Sequence, residues 1–509
     1  MLSRSLLLVL LASSPVFAET FEASPPDDIE DMIAALNPGD ELILHGGMYV
    51  TNERFSIDIA GTEAMPIIIR AADGESPHIH RPNASQNLID IDSADWVEIR
   101  GIEFSGGSAG IRISSARDLI FEDNEIHDTA DVAFRMNDGG AVYERITVRH
   151  NHIHDTNGTG EGMYLGCNED GCQMVDSLIE GNWVHHTNAG SVSQGDGIEI
   201  KEGSYGNIVR DNVIHDTNYP CILTYSTVGN GGPNVIERNV MWNCGDHAIQ
   251  SAADAIIRNN IILSAGSDGI AMQPHQNGSP SNLTVVHNTI LKATNDGISI
   301  RNNSGTVLVA NNAVFAMSGR AIFVNGTMSS ITLAGNAGQG AGVDAATLAD
   351  LVDGSYAGAP PMDLFPTAGG ALVGAGSTDH VAADDFNGTA RMGVADIGAY
   401  AFAAGGNPGW VIMAGFKDET GAPPMMDAGP RADAGPRRDA GPGSDAGPGV
   451  DGGPGSDAGG RADAGDGGGD GGGCGCSTNP GPADAFTVLL LFGLTLRRRR
   501  FGSISTSVS

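Results

Sequence analysis

Basic residues, aromatic residues and long apolar runs are all scarce in this 509-residue chain. Lys and Arg number 27 against 62 Asp and Glu, a formal net charge of −35. That balance removes nucleic acid from the partners, because phosphates are neutralised by Lys and Arg; an acidic exported chain holds cations instead. Aromatics make up 5% while glycines number 73, which excludes a compact aromatic core. Apolar runs are confined to the two ends. The one near the carboxy terminus, Phe486 to Leu496, falls short of the ~20 residues of a stable spanning helix.

What the chain has instead is repetition. One line reads Asn124-Glu-Ile-His-Asp-Thr129, Asn151-His-Ile-His-Asp-Thr156, Asn182-Trp-Val-His-His-Thr187 and Asn212-Val-Ile-His-Asp-Thr217, and continues in degenerate form through Asn239, Asn260, Asn288 and Asn312. The intervals are 27, 31, 30, 27, 21, 28 and 24 residues. A second line places Gly110-Ile-Arg-Ile, Ala133-Phe-Arg-Met, Gly162-Met-Tyr-Leu, Gly197-Ile-Glu-Ile, Cys221-Ile-Leu-Thr, Ala248-Ile-Gln-Ser, Gly269-Ile-Ala-Met, Gly297-Ile-Ser-Ile and Ala321-Ile-Phe-Val in the same order. Short β runs at such a period predict a solenoid in which each turn of chain adds one rung, and the Asn residues predict an internal amide ladder. Length alone forces no split, because each repeat buries its own share of core.

The repeats resemble the right-handed parallel β-helix family of carbohydrate-active and surface proteins. The resemblance implies an all-β, single-stranded right-handed parallel β-helix over residues 19–404. Asp27 to Leu36, with Ile29, Met32, Ile33 and Leu36 at helical spacing and Pro38-Gly39 as a stop, predicts an amphipathic helix that plugs the open end. Ala345 to Leu351 predicts a second short helix, and Ala395 to Phe402 reads as the last strands.

The flanks are of other kinds. Residues 1–18 read as a secretory signal, with Arg4, the run Leu6 to Leu11 and Val16-Phe17-Ala18 before Glu19. Residues 405–473 are expected to form a disordered stalk, since the Asp-Ala-Gly-Pro units with Asp427, Asp433, Asp439 and onward six apart bury nothing. Residues 474–509, with Gly473-Cys-Gly-Cys476, the apolar run and Arg497 to Arg500, resemble the carboxy-terminal sorting signal of myxobacterial surface proteins. That resemblance implies an exported protein at the cell surface, outer membrane or outside the cell, touching the membrane through this segment before or after its processing. Cys167 and Cys172 in GCNEDGC, and Cys221 with Cys244, are candidates for disulfides, with zinc as the alternative for the first pair.

Aligning the strands on their inward Ile positions reads the outward residues in columns about 4.8 Å apart. One runs Glu161, Asp196, Pro220, His247, Asp268, Asp296; the next Arg112, Arg135, Tyr164, Glu199, Leu223, Gln250; a third Asn137, Gly166, Lys201, Tyr225, Ala252, Gln273, Arg301. Glu161, Asp196 and Glu199 repel one another unless a cation or proton intervenes, which makes them candidate Ca2+ ligands. Lys201 or Tyr225 is then the candidate base for abstracting a C5 proton from a uronate, with Arg135 or His247 to orient its carboxylate. The bland alternative is a solvated charged face.

The stretch Gly195-Asp-Gly-Ile-Glu-Ile-Lys-Glu-Gly-Ser-Tyr-Gly-Asn207 resembles the catalytic segment of chondroitinase B and alginate lyase relatives. The resemblance implies that Glu199 binds calcium and Lys201 abstracts the proton; where that family carries an Arg on the next rung, this chain has Tyr225. The function expected is a surface-displayed, monomeric protein that cleaves an anionic polysaccharide by β-elimination. A non-catalytic glycan-binding adhesin, a glycoside hydrolase using Glu161, Asp196 and Glu199, and a C5-epimerase remain as alternatives. His127, His154, His185 and His215 read as turn or stacking residues, with a metal-binding ladder as the minor option.

Overall fold

The computed structural model describes residues 18–417. The residues read as a secretory signal, apart from Ala18, the Asp-Ala-Gly-Pro repeats and the segment read as a sorting signal lie outside the described residues.

Residues 20 to 345 wind into a right-handed parallel β-helix of about 11 turns. Each turn lays down three short strands, for example Leu178–Glu180, Trp183–Thr187 and Ile198–Ile200, followed one rung on by Ile208–Arg210, Val213–Thr217 and Ile222–Thr224. All strand pairs are parallel and in the register that the Ile alignment predicts: Met163 beside Ile198 beside Ile222, and Tyr164 beside Glu199 beside Leu223. Inward Ile, Val and Leu residues such as Ile179, Val184, Ile198 and Ile200 are fully buried in one continuous core.

Two local features set the corner between sheets. A residue in the left-handed region precedes each ladder Asn, including Asp123 (φ 55°), His150 (φ 53°), Gly181 (φ 62°) and Asp211 (φ 58°). The Asn that follows turns inward. Asn182 Nδ2 donates to Asn212 Oδ1 at 2.9 Å and to the Val148 carbonyl at 2.9 Å, while its own Oδ1 accepts from the Asn151 backbone N–H at 3.0 Å. The ladder continues unbroken from Asn124 to Asn336 and satisfies backbone groups that the corner would otherwise strand in the core. A second, shorter ladder, which the repeat pattern did not announce, joins Ser177, Asn207 and Asn234. Gly197 is required by close approach: a Cβ there would lie 2.5 Å from the Cys221 carbonyl oxygen.

The amino-terminal plug is present as the helix Ile29–Ala34, capped by Asp28, whose carboxylate accepts from the Glu30 and Asp31 N–H groups. Its buried Ile29 and Ile33 close the end of the core over strand Ser56–Ala60. The carboxy-terminal part departs from expectation. Ala345 to Leu351 contains only a 3-10 turn at Leu348–Asp350, with Thr347 and Asp350 bonding each other's backbone, because three residues offer too little apolar surface for a longer helix. Ala395 to Phe402 forms no strand. Instead, residues 346–417 run back across the outer face of the 13-stranded sheet, where Leu364, Phe365, Phe386, Tyr400, Trp410 and Ile412 pack on Val240, Trp242, Leu263, Leu291 and Phe315. Residues 405–417, assigned above to the stalk, therefore belong to the packed unit, since Trp410 and Ile412 are buried there. Among the described residues no helix is long and apolar enough to cross a membrane.

Candidate active site

The three columns stand side by side on the strands Phe134–Met136, Met163–Leu165, Ile198–Ile200 and Ile222–Thr224. The parallel register brings Glu161, Asp196 and Glu199 together, each offering one carboxylate oxygen within 4.8 Å of the others. These side chains do not face open water, so the bland alternative of a solvated charged face fails here. Glu161, Asp196, Glu199 and Lys201 are 0, 1, 1 and 4% exposed. The cover comes from a hairpin at His275–Gly278, contributed by a later rung. His275 Nε2 lies 3.1 Å from the Tyr225 hydroxyl, Asn277 donates from its backbone N–H to Glu202 at 3.2 Å, and Gln276 Nε2 donates to Asn168 at 2.9 Å. Asn168 sits in the loop that the Cys167–Cys172 disulfide closes. A second disulfide, Cys221–Cys244, joins rungs on the other side of Ile222–Thr224.

The electrostatics of this pocket are unusual. Both oxygens of Glu161, Oδ1 of Asp196 and Oε2 of Glu199 are buried without a hydrogen-bond partner. Burial, reinforced by the Glu199 charge, pushes the Glu161 carboxyl up to about 7, and burial with Glu199 and Glu161 pushes Asp196 well above its ordinary value. The remaining oxygen of Glu199 is shared: Lys201 Nζ donates to Oε1 at 2.7 Å and the Tyr225 hydroxyl donates to the same atom at 2.9 Å. Lys201 Nζ also donates to Tyr225 at 3.1 Å and sits over the rings of Tyr164 and Tyr225, 4.7 and 4.4 Å from their centroids. Burial alone would lower Lys201, yet the Glu199 carboxylate and Tyr164 outweigh it and hold the ammonium above its usual range. Burial and Glu199 push Tyr225 far up, so it stays a phenol; Tyr164 rises to about 12.

Arg135 and His247 fall on different sides of this centre. Arg135 is half-buried next to Tyr164 in the same column, its Nε buried and without a partner, its Nη1 3.7 Å from Asp131. His247 lies two rungs beyond Asp196 and joins another cluster. There the Asp268 backbone N–H donates to His247 Nδ1 at 3.1 Å, and Asp268 Oδ2 accepts from Arg301 at 2.6 Å and Ser299 at 2.7 Å. The repeat places His275 near the charged face, as found; what sequence reasoning missed is the hairpin that carries it over the site. Its trace is the insertion Pro274-His-Gln-Asn-Gly-Ser-Pro280, which helps to lengthen the Asn260 to Asn288 interval to 28 residues after one of 21.

A family described as the right handed beta helix region matches residues 78–192 and 176–314. The match spans every residue of the site. The chain is 25% identical over 307 residues to pectate lyase PEL9 of Emericella nidulans, covering 53% of this chain and 69% of that protein. Among solved structures it is similar in fold to pectate lyase Pel9A, at 15% identity with a TM-score of 0.47, covering 76% of this chain and 97% of that one. It is also similar to an alginate lyase from Paenibacillus sp. str. FPU-7, at 17% identity with a TM-score of 0.42, covering 62% and 99%.

Proposed function

We propose that this protein is a calcium-dependent lyase that cleaves an anionic polysaccharide by β-elimination at a uronate. One observation carries the reading: four carboxylate oxygens of Glu161, Asp196 and Glu199 are buried together without partners, beside a Lys and two Tyr. Three buried carboxylates in that state call for a cation, and an all-oxygen donor set suits a hard one such as Ca2+. Bound there, Ca2+ would neutralise the substrate carboxylate and so acidify the C5 proton.

The chain's own residues supply the rest. Lys201 takes the C5 proton through its neutral amine, which requires Glu199 to give up its hold on the ammonium. Electrons from the C5–H bond form the C4–C5 double bond as the C4–O bond breaks. Tyr225, kept a phenol by burial and Glu199 and 3.1 Å from Lys201 Nζ, is placed to protonate the leaving oxygen. Arg135, with an unpartnered Nε two rungs from Glu199, roughly 10 Å away along the stack, is suited to a carboxylate on a neighbouring sugar. The His275–Gly278 hairpin has to lift for a chain to enter. Export is supported by the signal-like residues 1–18 and by the two disulfides, which belong to oxidising compartments; surface display rests on the stalk and the sorting-type segment.

The test incubates the purified protein with pectate, alginate and chondroitin sulfate, with Ca2+ or with chelator, and follows the absorbance of the unsaturated product. Activity should need Ca2+ and fall about 10^3-fold in Lys201→Ala. New reducing ends without that absorbance would move the case to a glycoside hydrolase. Glycan binding without any product, lost in Glu199→Ala, would leave a non-catalytic adhesin.

A further inference from the structure

The outer face of the 13-stranded sheet carries a second set of converging donors, remote from the carboxylate pocket. Two outward columns run up its first half. One is His78, Glu103, Glu125, His152 and Trp183; the other is His80, Ser105, His127, His154, His185, His215 and Trp242. The second column is a stack of rings, with His127, His154, His185 and His215 each about 5 Å from the next and nearly parallel. His127 and His154 end three-residue strands and His185 and His215 lie in the middle of five-residue ones, so none is a turn residue; stacking explains their ring orientation but not what their nitrogens point at.

Around Glu125 the nitrogens converge. His152 Nδ1 lies 3.4 Å and His154 Nε2 3.1 Å from the same carboxylate oxygen, Glu125 Oε1. Ligands held about 2.1 Å from a tetrahedral ion sit about 3.4 Å from one another, close to both of these separations, and the three donor atoms lie within 4.8 Å of one another. The other ring nitrogen of His154, Nδ1, is 2.7 Å from Asp155 Oδ2. That contact holds Nδ1 on Asp155 and leaves Nε2 aimed at Glu125, the carboxylate–histidine arrangement that orients metal-bound imidazoles; a metal there would displace the proton that now bridges Nε2 and Glu125. The other nitrogen of His152 faces His185 Nε2 at 2.8 Å. The local sequence builds this: Asp155 follows the strand in the left-handed conformation (φ 54°), which swings its carboxylate back onto the preceding His, as Asp128 and Asp216 do for His127 and His215.

We propose that Glu125 Oε1, His152 Nδ1 and His154 Nε2 form a transition-metal site of the Zn2+ class, with its remaining position open to solvent. Two imidazoles and one carboxylate select such borderline ions, and the oxygen-only pocket of Glu161, Asp196 and Glu199 selects hard ones, so the two sites divide the metals between them. The site is reachable. Side-chain exposure is 39% for Glu125, 22% for His152 and 14% for His154, and Glu125 lines an open cavity of about 880 Å³ with Glu41, Arg70, Arg100, Glu103 and Asp123. His78, Glu103 and His127 repeat the same donor set at the preceding rungs.

The full chain, prepared without a histidine tag and stripped with chelator, is dialysed against Zn2+ with Ca2+ in excess, and bound zinc is counted by elemental analysis. Co2+ is substituted in parallel, because its visible spectrum reports imidazole ligation. The double variant His152→Gln/His154→Gln should take up one equivalent less than wild type and lose Co2+ absorbance. Asp155→Asn should weaken zinc binding about 10-fold at an unchanged melting temperature, and Glu199→Gln should leave zinc uptake as it was. If the double variant melts early, Glu125→Gln is read in its place. Wild-type protein that takes up no zinc at neutral pH, because protons alone bridge the cluster, overturns the proposal. So does uptake that survives the double variant.

Discussion

Glu161 shows how far the environment can move one side chain. Its carboxyl, ordinarily at 4.5, rises to about 7 through burial and the neighbouring Glu199. The folded protein therefore holds a proton that the unfolded chain has released, so its contribution is full below pH 4.5 and is lost as pH climbs through 7. Without a divalent cation, the melting temperature should fall across that window by the equivalent of about 3 kcal/mol. Adding Ca2+ should restore it, most at the alkaline end. Glu161→Gln should flatten the pH dependence and abolish most of the calcium effect. A calcium-independent pH profile identical in wild type and variant would remove Glu161 from the cation site. The residue types and their columns were legible in the sequence, because strand alternation fixes which side chains share a face. Their burial was not: it depends on a hairpin 75 residues further along, whose landing place no local pattern encodes.

Among the elements, the Asn ladder ties each corner of the coil to the next. Replacing Asn182 by Ala strands the Asn151 N–H in a dry interior and takes the side-chain donor away from the Val148 carbonyl and from Asn212 Oδ1, which keeps only the backbone N–H of residue 182. The cost should be about 3 kcal/mol, read as a drop in chemical-denaturation midpoint, while Asn157→Ala at a half-buried loop position on a nearby rung should cost well under 1 kcal/mol. Equal losses at the two positions would mean that the ladder is not what holds the corners. This element was the most readable in the chain, since a period of 21 to 31 residues with an invariant amide leaves few alternatives to a solenoid. The helix expected at Ala345 to Leu351 failed for the complementary reason. Its apolar residues, few and close together, are satisfied by packing on the sheet and need no helical face of their own.

On the scale of the whole molecule, the outer face of the 13-stranded sheet is divided in two. Its first rungs carry the polar His and Glu columns and stay partly open, while its later rungs carry Val240, Trp242, Leu263, Leu291 and Phe315 and are covered by residues 346–417. At Phe416 and Lys417 the covering strap reaches the boundary: the Phe416 ring stands edge-on to His152 and Trp183 at 6.4 and 6.1 Å, and Lys417 pairs with the buried Asp211. The sequence hid this division, because the strap has no periodicity and its partners are scattered over rungs that repeat like the others. It predicts what truncation does. A chain ended after Ala345 keeps its coil but bares the apolar half of the sheet, each large side chain there forfeiting about 2 kcal/mol of burial. Such an exposed patch drives association. Size-exclusion chromatography at micromolar concentration should show the truncated protein as dimers or larger species and the full chain as a monomer, with Phe315→Glu in the truncated chain shifting it back towards monomer. A truncated protein that elutes as a monomer with an unchanged melting temperature would mean that the strap covers the sheet without stabilising it.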